Sequence, residues 1–275
     1  MPEGDTIFRA ARHLRRALVG APVTRCELRP PRRGGQRLDI GRGLRTADLA
    51  GRCIVDVESR GKNLLIHFED DLVLYSHMKM TGSWHIYRPG EPWRKSPRWL
   101  SVRIDNSSFV AVAFNVPIVE LMTAARLRRH PLLARLGPDL LAARPHYDEM
   151  LRRLLARPET PLGEALLDQQ ILAGIGNVYK SELCFLLELN HFAPVGGFSK
   201  VELRELLESA GRLMRENLGS FRRTTRHHEG ARHWVYGRAG EPCGRCAGPI
   251  EMRRQGDQGR STYFCPSCQP APSAP

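Results

Sequence analysis

Apolar residues recur at Ile7, Ala10, Ala11, Leu14 and Leu18 with arginines in the gaps, and that spacing predicts an amphipathic helix over residues 3–19. The period then changes. Short β-favouring runs follow at 53–57, 63–68 and 72–75, separated by Glu58-Ser59-Arg60-Gly61 and by Glu69-Asp70-Asp71. The breaks suit hairpins in an antiparallel sheet. The runs 99–104 and 109–114 flank Asp105-Asn106-Ser107-Ser108 and predict a further hairpin. The first ~120 residues therefore read as β-rich behind a leading helix.

Beyond residue 122 the pattern becomes helical. A connector over 126–144 is broken by Pro131, Gly137-Pro138 and Pro145. Helices are predicted over 147–156, and from Thr160-Pro161 to Leu172 with Thr160 as N-cap and Pro161 in the first helical position. Asn177 is expected to cap a helix over 178–189, and Ser199 with Glu202 forms a capping box for another ending near Gly219. Two short strands, 250–254 and 261–264, then suggest a hairpin, and the Pro/Ala/Ser-rich end reads as disordered.

Composition narrows the partners. With 41% hydrophobic residues, 275 positions can bury the cores of two domains. No apolar run approaches a membrane span and the start lacks a secretory apolar region, so a cytoplasmic protein with no membrane partner is expected. Lys and Arg outnumber Asp and Glu by 42 to 29, a formal +13, and the pI is near 10.0. Such a field attracts polyanions, nucleic acid first. An anionic membrane surface competes poorly, because no basic amphipathic segment stands out.

Four of the seven cysteines form two pairs, Cys243-x2-Cys246 and Cys265-x2-Cys268, eighteen residues apart. That spacing suits one tetrahedral Zn²⁺ held by four thiolates. Redox-active pairs would need a thioredoxin-like βαβ context, which is absent. Four thiolates leave no open coordination position, so the zinc is expected to be structural. Between the pairs lie Arg253, Arg254 and Arg260, which a hairpin tip can present to a phosphate. Cys26, Cys53 and Cys184 are scattered and read as inert thiols.

Two further stretches carry candidate chemistry. The chain begins Met1-Pro2-Glu3-Gly4. Loss of Met1 leaves Pro2 as a secondary amine at the terminus, able to attack a sugar C1′ and form an iminium ion, with Glu3 beside it to move protons. The stretch Leu166 to Glu182 ends one helix at Gly174, turns through Gly174-Ile175-Gly176 and restarts at Asn177. Free N–H groups at such a helix start favour an anion, and a DNA phosphate is a natural occupant.

Together these residues resemble the Fpg/Nei (formamidopyrimidine glycosylase/endonuclease VIII) family of DNA base-excision repair enzymes. Four blocks carry the resemblance: Met1-Pro2-Glu3-Gly4, Ser59-Arg60-Gly61-Lys62-Asn63-Leu64-Leu65, Leu-Asp-Gln…Gly-Ile-Gly-Asn-Val-Tyr over 167–179, and Val235-Tyr236-Gly237-Arg238 before the cysteines. Gly4 is similar to the endonuclease VIII branch. Asp5-Thr6 departs from both branches, which usually place a second glutamate at the position of Thr6.

The resemblance implies an α+β multidomain fold: an N-terminal β-sandwich with flanking helices, then a helix–two-turns–helix domain and a zinc ribbon. The expected boundaries are a catalytic domain over 2–122, a connector over 123–145, the helical DNA-binding domain over 146–228, the zinc ribbon over 229–269 and a disordered tail over 270–275. It implies a bifunctional DNA glycosylase/AP lyase acting on damaged DNA as a monomer, nucleoid-associated in a bacterium. Oxidised pyrimidines are favoured over oxidised purines. Pro2 is the implied Schiff-base nucleophile and Glu3 the proton donor, with strand cleavage by β,δ-elimination. Lys62 grips a phosphate near the lesion and assists proton transfer, and Asn177 and Arg260 hold phosphates around the flipped nucleotide. Met80, in His77-Met78-Lys79-Met80-Thr81-Gly82, is the implied wedge that fills the hole left by the base. Two other readings stand beside this one: a non-catalytic zinc-ribbon DNA-binding protein, and an RNA-directed or ribosome-associated zinc-ribbon protein.

Overall fold

The structure, a computed structural model, describes residues 2–30, 37–220, 222–226 and 230–270. Met1 and residues 271–275, the bulk of the expected tail, lie outside the described residues. The chain divides into two compact units, Met1–Arg135 and Leu136–Pro275.

The first unit opens with α1 (Gly4–Leu18) and continues through β1 (Arg25–Leu28), β2 (Arg37–Ile40), β3 (Ile54–Arg60), β4 (Asn63–Phe68), β5 (Leu72–His77), β6 (Ser83–Tyr87), β7 (Leu100–Asp105), β8 (Val110–Phe114) and β9 (Ile118–Thr123) to the short helices α2 (Ala124–Arg128) and α3 (Pro131–Ala134). The strands form a five-stranded sheet in the order β2-β9-β5-β4-β3 and a four-stranded sheet in the order β1-β7-β8-β6. The hairpins β3–β4, β4–β5 and β7–β8 are antiparallel, whereas β2 runs parallel to β9.

Side-chain alternation explains the sandwich. Leu64 and Ile66 of β4 point into a shared core with Ile104 of β7 and Ala111 and Ala113 of β8, and Ile7, Ala11, Leu14 and Leu18 of α1 join it. Leu65, Val73 and Tyr75 face the other way, into a smaller cluster with Met122 and Leu127. Val110, Val112 and Phe114 do the same on the second sheet. Strands covered on both faces lose the polar alternation of a half-exposed sheet, hence the continuous apolar runs.

The second unit contains α4 (Tyr147–Leu155), α5 (Leu162–Ala165), α6 (Asn177–Leu186), α7 (Lys200–Glu216) and the hairpin β10 (Glu251–Gln255)–β11 (Arg260–Phe264). The Ser199–Glu202 capping box is present, with Glu202 N–H donating to Ser199 Oγ at 3.2 Å and Ser199 N–H to Glu202 Oε2 at 2.8 Å. Several helix boundaries differ from expectation. Pro161, not Thr160, is the N-cap of α5, and the helix starts at Leu162, because Pro161 is extended (ψ 135°) and bridges to Pro194. It stops at Ala165 instead of Leu172, because Asp168 and Gln169 bind local backbone groups and divert the chain into turns. α6 ends at Leu186 instead of residue 189, where Glu188 takes φ +59°. Asn177 is the first helical residue of α6 and Gly176 is its N-cap, since the Asn177 amide is engaged elsewhere.

Candidate functional site

Glu3 caps α1 in extended conformation and is fully buried. Its N–H donates to Thr6 Oγ1 at 3.4 Å, and its carbonyl accepts the N–H groups of Thr6 and Ile7. Asp5, also buried, accepts the Thr6 N–H at 2.7 Å and the Thr6 hydroxyl at 3.2 Å through Oδ1. Thr6, where a second glutamate is usual, therefore serves the helix start: its hydroxyl bridges the Glu3 amide and the Asp5 carboxylate. The peptide joining Pro2 to Glu3 is held from the helix side.

The topology gathers the candidate groups of this unit at one end of the five-stranded sheet. The C-terminal end of α1 is pinned to the start of β3 by the Val19–Ile54 bridge and by Gly20 N–H to Ile54 O at 3.0 Å. The helix packs along β3, and its 15 residues span about 22 Å. The seven residues of β3 span about 23 Å. The Glu3 end of the helix thus lies at the Arg60 end of the strand. Lys62 occupies the β3–β4 turn at that end, where Gly61 takes φ +57°. β4 pairs antiparallel with β5, Leu64 opposite Ser76, so β5 finishes at the same end with His77.

His77 opens the His77-Met78-Lys79-Met80-Thr81-Gly82 segment, and no motif marks it as functional. Its Nδ1 accepts the Lys79 N–H at 3.1 Å. Burial, with Lys79 and Lys62 nearby, lowers its pKa to about 4. The imidazole is therefore neutral at pH 7 with its proton on Nε2, a donor set beside Lys62. Three residues on, Met80 is 61% exposed at a tight corner where Lys79 has φ +47°. Gly82 is needed there, because a Cβ would lie 2.7 Å from Met78 O. The Thr81 hydroxyl donates to Asn115 O in the β8–β9 loop at 3.1 Å, tying the corner down. Met80 is thus an exposed thioether on a braced turn and no core filler.

In the second unit, the turns before α6 are stapled by one side chain. Gln169 Nε2 donates to Leu167 O and Ile175 O, and its Oε1 accepts the Gly174 N–H at 3.1 Å. Gly174 has φ +115°. Asn177 Nδ2 donates to Ser261 O at 2.5 Å and to Ser261 Oγ at 2.9 Å, while its buried Oδ1 has no hydrogen-bond partner among the described residues. Three residues on, fully buried Lys180 donates through Nζ to Thr262 Oγ1 at 2.6 Å. Arg260 stands opposite Gln255 at the hairpin tip, exposed, with its guanidinium donating to Gln258 Oε1. Asn177 and Arg260 therefore come from two elements tied together one residue from Arg260. Of the other hairpin arginines, Arg253 packs over the Phe264 ring at 5.1 Å and Arg254 donates to Gly259 O.

The sulfurs of Cys243, Cys246, Cys265 and Cys268 all lie within 4.8 Å of one another. Cys243 and Cys268 are 3.8 Å apart, and Cys246 and Cys265 3.5 Å. Zn–S bonds of about 2.3 Å in a tetrahedron separate sulfurs by about 3.8 Å, so the four residues fit that ion. Burial raises the thiol pKa of Cys26 and of Cys184 to about 12, in keeping with inert thiols.

A second residue without an assigned role is Glu182, fully buried on α6. Its carboxylate accepts the N–H groups of Trp234, Val235 and Tyr236 at 2.7, 2.9 and 2.7 Å and the Thr225 hydroxyl. The Val235-Tyr236-Gly237-Arg238 block is thus anchored to α6 by one side chain. In sequence it is one more polar position in a helix that also carries Lys180 and Ser181, and nothing local singles it out.

Known proteins align with both units. Residues 1–116 match the family model "Formamidopyrimidine-DNA glycosylase N-terminal domain", residues 136–228 the "Formamidopyrimidine-DNA glycosylase H2TH domain" and residues 240–271 the "Zinc finger found in FPG and IleRS". The chain is 41% identical to the probable endonuclease 8 2 of Streptomyces coelicolor, over 99% of this chain and 95% of that protein. It is 38% identical to the DNA-(apurinic or apyrimidinic site) lyase Nei2 of Mycolicibacterium smegmatis, over 98% and 100%. Among solved structures, Lactococcus lactis Fpg in complex with abasic-site DNA shares the fold with a TM-score of 0.81 at 22% identity, covering 98% of this chain and 100% of that chain. Two glycosylase domains and a zinc finger in unbroken order, with full-length relatives above 30% identity, make this chain a member of the formamidopyrimidine-DNA glycosylase/endonuclease VIII family of DNA repair enzymes.

Proposed function

We propose that the chain is a bifunctional DNA glycosylase/AP lyase of base excision repair that works through an N-terminal proline iminium, with oxidised pyrimidines as its favoured lesions. The observation that carries this reading is the placement of Pro2-Glu3, Lys62 and exposed Met80 at one end of one sheet.

The target nucleotide leaves the stack, because C1′ is shielded in duplex DNA. Met80 takes the vacated space. The Pro2 nitrogen bonds to C1′ as the C1′–base bond breaks; the base leaves with the electron pair and takes up a proton, and the proline N–H proton is lost to solvent, which frees the nitrogen lone pair. Glu3 protonates O4′, the C1′–O4′ bond opens, and C1′ and the proline nitrogen become an iminium ion. That cation acidifies C2′. Loss of a C2′ proton expels the 3′-phosphate, and a second elimination expels the 5′-phosphate. Lys62 grips the phosphate beside the lesion and assists the proton transfers, and the His77 Nε2–H adds a neutral donor to the same phosphate. Asn177 and Arg260 hold backbone phosphates, and such contacts position the strand without reading its sequence. One zinc ion on Cys243, Cys246, Cys265 and Cys268 holds the hairpin that presents Arg260 and takes no part in the chemistry.

The direct test is cleavage of duplex DNA carrying thymine glycol, compared with 8-oxoguanine. The expected products are 3′-phosphate and 5′-phosphate ends flanking a one-nucleotide gap, formed faster on thymine glycol. Binding without any strand cleavage would favour the non-catalytic reading.

A further inference from the structure

The turn that carries Lys62 is held by a side chain from the next position and by a tyrosine behind it. Asn63 Nδ2 donates to Arg60 O at 2.8 Å, spanning Gly61 and Lys62. Asn63 Oδ1 accepts the Tyr75 hydroxyl at 2.9 Å. Both residues are buried, Asn63 at 6% and Tyr75 at 0% exposure. The orientation is dictated by chemistry. A backbone carbonyl can only accept, so the amide nitrogen must face Arg60, and the phenol must then donate to the amide oxygen.

Tyr75 is itself fixed. It stands opposite Glu120 in the β5–β9 register, and its ring lies 5.0 Å from the His130 ring. His130 Nε2 is 3.3 Å from Glu120 Oε2, both side chains buried. Burial and the Glu120 charge push the phenol pKa up, so the hydroxyl stays a donor. The polar chain from the sheet interior thus ends on the carbonyl that opens the Lys62 turn.

We propose that Tyr75 and Asn63 are positioning residues for Lys62: through the Tyr75–Asn63–Arg60 relay they fix both backbone ends of the turn, so that only the lysine stem moves when DNA binds. This inference rests on the proposed role of Lys62 at the lesion. A lysine stem is long and flexible, so the accuracy of its ammonium depends on the backbone from which it starts. Without the Tyr75 hydroxyl, Asn63 Oδ1 is left buried without its donor, and the amide has reason to rotate and release Arg60 O.

The test is a double-mutant cycle on the full-length mature protein, read by single-turnover cleavage of abasic-site DNA. Tyr75→Phe is expected to slow cleavage by roughly ten- to a hundredfold. In a Lys62→Ala background it is expected to cost nothing further, because there is no lysine left to place. Asn63→Leu is expected to follow the same pattern. Amide hydrogen exchange at residues 61–63 should rise in Tyr75→Phe while the rest of the five-stranded sheet keeps its protection. An unchanged rate in Tyr75→Phe, an equal loss in both backgrounds, or unchanged exchange at the turn would overturn the proposal and leave the Lys62 reading standing. Full activity of Lys62→Ala alone would instead remove that reading, and this inference with it.

Discussion

Asn177 donates through one amide nitrogen to both the carbonyl and the hydroxyl of Ser261, which joins the first turn of α6 to the second residue of β11. Lys180 repeats the link one turn along, onto Thr262. The turn before α6 and the hairpin tip that carries Arg260 are thus tied together by side-chain hydrogen bonds.

Thr262→Val keeps the side-chain shape and removes one acceptor from the buried Lys180 ammonium and one donor from Gln255 Oε1. A loss of about 1–3 kcal/mol is expected, read as a lower urea midpoint with unchanged slope. Affinity for abasic-site DNA should fall with it, in the direction of Arg260→Ala. Full stability in Thr262→Val would show that the link contributes nothing.

His77 gives the free protein a pH dependence of defined sign. In the unfolded chain it titrates near its ordinary 6.5, in the native state at about 4. Between those values the unfolded chain binds a proton that the native state refuses. This contribution to stability is fully present above about pH 6.5 and is lost as pH falls toward 4. Buried His191, lowered to about 3, adds to the same slope from the second unit. Denaturation across pH 4–7 should show His77→Gln with a shallower loss than the unaltered protein. An identical slope would place the imidazole in a solvated setting.

Met80 is exposed, so Met80→Ala should leave the melting temperature unchanged. Excision of an intact thymine glycol, which must be flipped out, is expected to drop on the order of tenfold, whereas cleavage at a preformed abasic site drops less. Equal losses on both substrates would assign Met80 to binding alone.

Stripping the metal should act on the hairpin and not on the proline. Metal analysis of the purified protein is expected to give one zinc per chain. A chelator strong enough to remove it should abolish DNA binding, and zinc should restore it. Restoration of cleavage by a redox-inert ion fits a structural site, and cleavage undiminished in metal-free protein would contradict the role given to the hairpin.

What could be read beforehand follows from how local each signal is. The α1 face, the β3–β4–β5 meander and the four cysteines were legible because their spacing is set by nearest neighbours in sequence. Among the strands, β9 was hidden by Glu120 in mid-strand, a buried charge whose His130 partner only the fold supplies. β2 pairs in parallel with β9, a contact with no turn to announce it. The overlong helix after Thr160 arose because the apolar spacing continues to Leu172 while Asp168 and Gln169 take the backbone's hydrogen bonds. The chemistry of Pro2, Glu3 and Lys62 rested on motif, and Tyr75 could not be singled out, since one more aromatic in an apolar strand looks like core.

The most direct measurement is borohydride trapping on DNA with an abasic site, since reduction converts an iminium into a stable amine link. Mature protein beginning at Pro2 is expected to form a covalent adduct whose tryptic peptide carries the DNA remnant on the N-terminal proline. Pro2→Ala, which replaces the secondary amine, and protein that retains Met1 are both expected to trap poorly or not at all. Trapping of undiminished yield in either of them would show that the nucleophile lies elsewhere in the chain.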